Sequence, residues 1–97
     1  MHKEIRAKFE SIMTDVMNKS YTWEYTVKSF REYAWEQRTK FRDWLLINFG
    51  QDAVDSHLPA MAGIYLHNRR TWVGVRKDLV SIRKSGRIYL DAVETEI

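Results

Sequence analysis

The sequence predicts an α+β fold in a single domain spanning residues 1–97. Two long stretches in the first half repeat apolar residues with the 3.6-residue period of an amphipathic helix. Two short stretches near the end alternate apolar and polar residues around a glycine, as the strands of a β-hairpin do. Hydrophobic residues make up 44% of the 97-residue chain, which is enough for one packed core. We therefore expect a long helical hairpin, a short helix and a C-terminal β-hairpin.

The helical hairpin is predicted over residues 3–18 and 22–49. In its first helix, apolar residues recur at steps of four, three and four: Ile5, Phe9, Ile12 and Val16. The second helix has Trp23 on its apolar seam, Ser20 or Thr22 as its cap, and Gly50 as its stop. A straight helix of that length would run roughly 40 Å, more than a compact domain of this size accommodates easily. We expect it to bend, to overhang or to pair with a second copy, so a homodimer through this helix is one predicted association.

A short helix and a β-hairpin are predicted in the second half. Residues 59–67 are predicted to be helical, with Pro59 in the first turn and Gly63 as a weak position. The hairpin is predicted over residues 79–92, since Val80 and Ile82 alternate before the turn and Ile88 and Leu90 alternate after it. Gly86 would supply the positive φ of the turn.

The segment between these elements, residues 71–79, is ambiguous. Its apolar residues match a helical period with Thr71 as a cap: Trp72, Val75, Leu79 and Ile82. Val73, Gly74 and Val75 favour a strand instead, because β-branched residues and glycine lower helix propensity. We favour the helix. The alternative is a set of helices packed on a three-stranded antiparallel meander.

Positive charge is concentrated in one 20-residue segment. Residues 1–67 balance nine Lys/Arg against nine Asp/Glu, and residues 68–87 hold seven Lys/Arg against Asp78 alone. Such a segment attracts a polyanion through steering and counterion release. The alternative is a solvated face whose partner is the acidic stretch 88–97. We predict that this segment contacts nucleic acid, or an acidic or nucleic-acid-binding protein surface, through Arg69, Arg70, Thr71, Arg76, Lys77, Arg83, Lys84 and Arg87.

With residues 71–79 as a helix, residues 59–93 resemble a winged helix-turn-helix DNA-binding protein. The resemblance rests on Ala62 and Gly63, on the segment Asn68-Arg69-Arg70-Thr71, and on the predicted hairpin with its run from Gly86 to Leu90. It implies a recognition helix in the major groove and a wing on the phosphate backbone. The recognition helix would carry Arg69, Arg70, Thr71, Arg76 and Lys77, and the wing would carry Arg83, Lys84 and Arg87. Gly74 within the recognition helix departs from the family's usual pattern.

A second patch is predicted on the long helix, at steps of four, three and four: Arg31, Trp35, Arg38 and Arg42. Cations that flank an aromatic ring can hold a nucleic-acid strand by phosphate contact and base stacking. The alternative is that Trp35 is packed under the C-terminal sheet and that the arginine stems cover it.

Several functional classes find no support in the sequence. Without cysteine there is neither a disulfide framework nor a thiolate zinc site, and the composition fits a reducing, cytoplasmic compartment. Neither a signal peptide nor a membrane span is visible, so no membrane partner is expected. Asp52, Asp55, Ser56 and His57 are close in sequence, but helix capping explains them more simply than catalysis. We expect no catalytic site, no metal site and no cofactor.

We therefore predict a small nucleic-acid-binding protein that is not an enzyme, with DNA as the favoured ligand. The alternative is a protein–protein interaction module, such as a small phage-type inhibitor or adaptor that docks on a larger assembly. Its exposed Trp and Arg side chains would then be the anchors.

Overall fold

A computed structural model describes residues 2–96 as four α-helices and two short 3₁₀ turns, and it describes the side chains of residues 2–94. The helices are α1 (His2–Lys19), α2 (Val27–Phe49), α3 (Gln51–His57) and α4 (Trp72–Glu96). The 3₁₀ turns, Leu58–Met61 and Leu66–Asn68, lie between α3 and α4. Residues 2–96 contain no strand, so the predicted α+β class and its β-hairpin are wrong, and the protein is all-helical.

The two helices predicted in the first half are present, but α2 begins at Val27 rather than at residue 22. Trp23 has a φ of 63°, which a helix cannot contain, and its side chain is 83% exposed. Thr26 caps α2 in place of Ser20 or Thr22. The Thr26 hydroxyl accepts the Ser29 amide at 3.1 Å, and the Ser29 hydroxyl accepts the Thr26 amide at 3.0 Å. At its other end α2 stops at Gly50, whose φ of 87° turns the chain directly into α3.

The predicted β-hairpin over residues 79–92 is instead the continuation of α4. The helical period that starts at Trp72 runs on to the end of the helix, and the inward-facing positions are Val75, Leu79, Ile82, Gly86 and Leu90. The alternation that predicted strands has a helical explanation: Val80 and Ile88 point outward, and Ile82 and Leu90 point inward. The three-stranded meander is excluded with it.

Gly86 is a buried contact point between helices rather than a turn residue. A Cβ atom built on it would lie 2.8 Å from Cε2 of Phe9 and 2.9 Å from the carbonyl oxygen of Ala60. Both distances are too short for real carbon contacts, so only glycine allows α1 and the 58–61 turn to approach α4 this closely.

The helix predicted over residues 59–67 is only partly present, because two short 3₁₀ turns take its place. Pro59 is the second residue of the 3₁₀ turn Leu58–Met61, and hydrogen-bonded turns then lead into Leu66–Asn68. Leu66, His67 and Asn68 all have positive φ, at 68°, 42° and 62°, so this stretch turns with left-handed geometry.

Helices α1 and α4 are antiparallel and are joined by a ladder of polar contacts. His2 lies 3.5 Å from Glu94, Arg6 pairs with Asp91, and Glu10 pairs with Arg87. We call these contacts the α1–α4 ladder. Beneath it, the fully buried side chains of α1, among them Ile5, Phe9 and Met13, enter the core.

Candidate functional site

The structure uses two of the predicted wing arginines inside the fold. Arg87 forms a bidentate pair with Glu10: its Nε donates to Oε1 and its Nη2 donates to Oε2 at 2.9 Å. Arg83 Nε lies 3.4 Å from the same carboxylate. Because residues 79–92 are helical, they do not form the predicted wing, and these two arginines join α4 to α1.

Glu10 is held in its ionised form by these arginines. The Arg87 hydrogen bond is the largest influence and, with the charges of Arg87 and Arg83, it lowers the Glu10 pKa against the opposing effect of burial. A carboxyl whose pKa is lower in the folded than in the unfolded chain stabilises the fold above the unfolded pKa, and that stabilisation is lost as pH falls through the folded value.

We therefore expect Glu10→Gln to reduce the free energy of unfolding at pH 7 and to reduce its dependence on acid. The difference in stability between the parent protein and Glu10→Gln should shrink progressively as pH falls below about 5, because the unfolded chain binds a proton at Glu10 first and the folded parent does so only at lower pH. Urea unfolding at several pH values measures this. Glu36→Gln removes an exposed carboxyl that is unpaired among the described side chains and serves as control. A pH-independent difference between the Glu10 variant and the parent would contradict the assignment.

Arg76 is also committed to the fold. Its Nη2 donates to the Ser20 carbonyl at 2.7 Å, and its guanidinium lies 4.3 Å from the Tyr21 ring centroid and 5.4 Å from that of Trp72. Arg76 therefore connects the 20–26 loop to the start of α4, and its guanidinium is used for these internal contacts.

Arg69 and Thr71 organise the start of α4. Arg69 forms a bidentate pair with Asp78, with Nε 2.8 Å from Oδ2 and Nη2 3.1 Å from Oδ1. This hydrogen bonding raises the pKa of Arg69. The Thr71 hydroxyl accepts the Gly74 amide at 3.1 Å, which is the N-capping role predicted for it.

The three remaining cations of the basic segment are exposed: Arg70, Lys77 and Lys84. None of them has an ion-pair partner among the side chains that the structure describes. Lys77 and Lys84 are two helical turns apart on the outward side of α4. We call this side the outer face; it also carries Val73, Val80 and Ile88, which are 57–64% exposed. The predicted basic surface is thus divided. Arg83 and Arg87 pair with Glu10 of α1, Arg69 and Arg76 hold the start of α4, and the remaining three cations are exposed.

Arg70 belongs instead to a groove that brings the two predicted patches together. We call it the loop groove; it runs between α2 and the 65–70 segment as two adjoining pockets of about 380 and 550 Å³. Lys28, Arg31 and Asn68 line both pockets. The basic end adds Arg69 and Arg70, and the other end adds Glu32, Trp35, Glu36 and Tyr65.

Arg31 helps to hold the two sides of the loop groove in place. Its Nη1 donates to the Arg69 carbonyl at 3.2 Å, so α2 and the 65–70 segment are directly bonded across the groove. Lys28 and Arg70 are exposed beside it. Four cations are therefore concentrated at the basic end: Arg31 is bonded to a backbone carbonyl, Arg69 is paired with Asp78, and Lys28 and Arg70 have no ion-pair partner among the described side chains.

The other end of the loop groove presents aromatic rings. Trp35 and Tyr65 are 45% and 44% exposed and meet edge to face, with centroids 6.2 Å apart. The Tyr65 hydroxyl lies 3.0 Å from Nδ1 of His67, and the Arg38 guanidinium lies 4.8 Å from the Trp35 centroid. Trp35 is therefore not packed under another layer, although Arg38 lies over its ring, and nearly half of Trp35 and of Tyr65 remains exposed. Arg42, the last member of the predicted helix patch, pairs with its neighbour Asp43 at 3.1 Å instead.

The left-handed stretch 66–68 fixes the position of the aromatic end. Leu66 is fully buried and anchors the stretch in the core, while Tyr65, His67 and Asn68 are exposed around it. Left-handed geometry costs roughly 1–2 kcal/mol for each ordinary residue. Such conformations concentrate at functional sites, where surrounding structure maintains them.

Sequence reasoning missed several residues that line the loop groove, among them Lys28, Tyr65 and Asn68, and it also missed His67, which contacts Tyr65. The spacing of Lys28 fits a solvated stripe of alternating charge on α2, and Tyr65 and His67 fall within the helix predicted over residues 59–67. The available signal in the sequence was a cluster of aromatic and basic residues at the end of a segment with weak helix propensity.

The other candidate chemistry has a structural role. His57 is buried, and its Nδ1 lies 3.0 Å from the Ala53 carbonyl. Asp55 accepts a hydrogen bond from Gln51 on the same helix at 2.9 Å. Across residues 2–94 no three His, Asp or Glu side chains are grouped so as to hold a metal ion.

No helix in the described range is long and apolar enough to cross a membrane. Comparisons of the chain with protein-family models, with curated proteins and with solved structures gave no match.

Proposed function

We propose that this protein binds single-stranded nucleic acid in the loop groove and that it is not an enzyme. The observation that carries the proposal is the juxtaposition of Lys28, Arg31 and Arg70 with the exposed rings of Trp35 and Tyr65. Phosphates would lie against the cations and bases would stack on the rings, which is how sequence-tolerant single-strand binding is built. The cytoplasmic location expected from composition is part of this proposal.

A single strand fits this surface better than a duplex. Stacking on Trp35 and Tyr65 requires bases whose faces are free. The start of α4, which the winged-helix resemblance would place in a major groove, has Val75 buried and Arg76 bonded to Ser20. The outward positions there are Val73 and Lys77, so this turn presents one polar side chain, whereas reading a duplex takes about three or four that reach base edges.

Fluorescence anisotropy with a labelled single-stranded oligonucleotide, over a range of salt concentrations, tests the proposal. Lys28→Glu and Arg70→Glu should each weaken binding and flatten the plot of log affinity against log salt, by about 0.7 for each phosphate that is no longer neutralised. Trp35→Ala should cost about 1–3 kcal/mol of binding free energy, because it removes the ring on which a base stacks.

Two controls separate the loop groove from the rest of the surface. Lys84→Glu makes the same charge change on the outer face, and Trp23→Ala removes an 83% exposed Trp from a different loop. Both should bind as the parent protein does. Equal losses of affinity for Lys84→Glu and Lys28→Glu would contradict the groove assignment, and absence of oligonucleotide binding at low salt would contradict the function.

A second candidate, docking on another protein, is favoured by the exposed apolar side chains Val73, Val80 and Ile88 of the outer face. The surface near the end of α2 is similar, because Ile47 is 82% and Leu46 is 47% exposed, and this is where the proposed homodimer through α2 would form. A phage-type inhibitor or adaptor would use such faces. Sedimentation of the pure protein, and recovery of a stoichiometric partner after nuclease treatment, distinguish these associations from nucleic-acid binding.

A further inference from the structure

A separate pocket of about 380 Å³ lies on the other side of the 65–70 segment, between α4 and residues 59–67. We call it the α4 pocket. Its floor is apolar, formed by Pro59, Ala62 and Ile82 among others. Its polar groups come mainly from one stripe of α4 at spacings of three, four and four: Asp78, Ser81, Ser85 and Tyr89. His67 completes the polar side from the left-handed stretch.

Small residues keep this pocket open. Gly63, Ser81 and Ser85 line it where larger side chains would fill it. A methyl group on Gly63 would lie only 3.2 Å from Cγ1 of Ile82, so the side of the pocket formed by Gly63 and Ile82 is already tightly packed. The pocket is thus a concave apolar surface with a few convergent polar groups, the usual form of a small-ligand site.

The electrostatics of the α4 pocket select the class of ligand. Asp78 is the one formally charged side chain among its lining residues, and no Lys or Arg is among those that the structure describes there. Ser and Tyr hydroxyls can donate or accept, whereas an ionised carboxylate only accepts. Each Asp78 oxygen takes one hydrogen bond from Arg69 and retains further accepting capacity.

We propose that the α4 pocket binds a small organic amine, with its ammonium group on Asp78 and its apolar body on Pro59, Ala62 and Ile82. Ser81 and Ser85 supply hydrogen bonds along the same edge. The ammonium group competes with Arg69 for the carboxylate, so binding weakens the bidentate Arg69–Asp78 pair. This proposal does not depend on the function of the loop groove.

The test is an NMR titration of the ¹⁵N-labelled protein with benzylamine and with benzoate, which share a ring and differ in charge. Benzylamine should produce saturable shifts at the amides of Ser81 and Ser85 and at the side-chain Nε of Arg69. Benzoate should not. Equal binding of the two compounds, or amine-induced shifts centred outside the pocket, would overturn the proposal.

Two variants address the contacts. Asp78→Asn should weaken benzylamine binding by about tenfold or more, since hydrogen bonds to charged groups contribute about 1.5–3 kcal/mol. Ser85→Leu fills the pocket from an exposed helical position and should abolish binding while Asp78 remains. Asp43→Asn, which breaks a surface pair on α2, is the matched control and should leave binding unchanged. If Asp78→Asn does not fold, Ser85→Leu decides, and undiminished binding by that variant overturns the proposal.

Discussion

Gly86→Ala is expected to lower the free energy of unfolding, although alanine is a better helix former than glycine. The new Cβ would lie within 3 Å of Cε2 of Phe9 and of the Ala60 carbonyl oxygen. Overpacking of this kind costs about 1–3 kcal/mol or more, and the backbone oxygen has little freedom to move. The gain in helix propensity, about 1 kcal/mol, offsets only part of that cost. We expect a net loss of about 2 kcal/mol, or roughly 8–16 °C in Tm.

Ser85→Ala is the matched control, because it makes a helix-favouring change at the preceding, exposed position of the same helix. Thermal and urea unfolding of both variants should show stability within about 0.5 kcal/mol of the parent for Ser85→Ala. Phe9→Leu combined with Gly86→Ala should cost less than the two single changes add up to, since leucine lacks the ring atoms that collide with the new methyl group. An unchanged or raised Tm for Gly86→Ala would show that α1 and α4 do not approach as closely as described.

Phe30→Ala is expected to have a still larger effect, about 3–5 kcal/mol, because it removes a fully buried ring. Phe30 packs edge to face with Trp72 at 5.3 Å and with Tyr25 at 6.1 Å, so it joins α2 to the start of α4 and to the loop before α2. A domain of this size has a total stability of about 5–15 kcal/mol, so a loss of that size removes a large part of it.

Urea unfolding measures that loss of stability, with Trp23→Ala as a control that removes a larger aromatic side chain from an exposed position. The control should change stability by less than about 0.5 kcal/mol. Because Trp72 follows directly after Arg70 and Thr71, Phe30→Ala should also weaken oligonucleotide binding by loosening one side of the loop groove. A stable Phe30→Ala protein would mean that α2 and α4 are held together elsewhere.

Helical periodicity in the sequence predicted the buried residues wherever a single apolar stripe of a helix faces the core. Ile5, Phe9 and Val16 are all buried in α1, and Val75 and Leu79 are buried in α4, as their spacing indicated. The period over residues 71–82 was a better guide than the low helix propensity of Val73 and Gly74, because packing of the inward face outweighs propensity.

The β-hairpin prediction failed because it rested on patterns too short to separate two periods. Three residues with apolar ends, such as Val80 to Ile82, fit a strand, but they also fit a helix in which the two apolar residues lie on nearly opposite sides, Val80 outward and Ile82 inward. Gly86 was interpreted as a turn residue because its neighbours in sequence are polar. Glycine is required there because the Phe9 ring, on a helix at the other end of the chain, packs against it. No pattern of neighbouring residues could predict that contact.

The candidate site was partly predictable for a similar reason. Charge counting found Arg69 and Arg70, and helix spacing found Arg31 and Trp35, but neither could show that the two sets meet. Counting charge within a segment also ignores distant partners. Glu10 lies outside the basic segment, pairs with two of its arginines and offsets one of their two positive charges, so the effective charge of the folded surface differs from that of the segment alone.

The α1–α4 ladder has a consequence for the order in which the chain assembles. Its contacts join residues separated by most of the chain, as the 77-residue interval between Glu10 and Arg87 illustrates. Closing so long a loop costs entropy before any contact stabilises it, so long-range docking tends to follow local pairing. The shorter connections among α2, α3 and the first half of α4 can form earlier. We therefore expect the contacts of α1 with α4 to form last during folding and to break first during unfolding. The strength of these contacts should then largely set the unfolding rate.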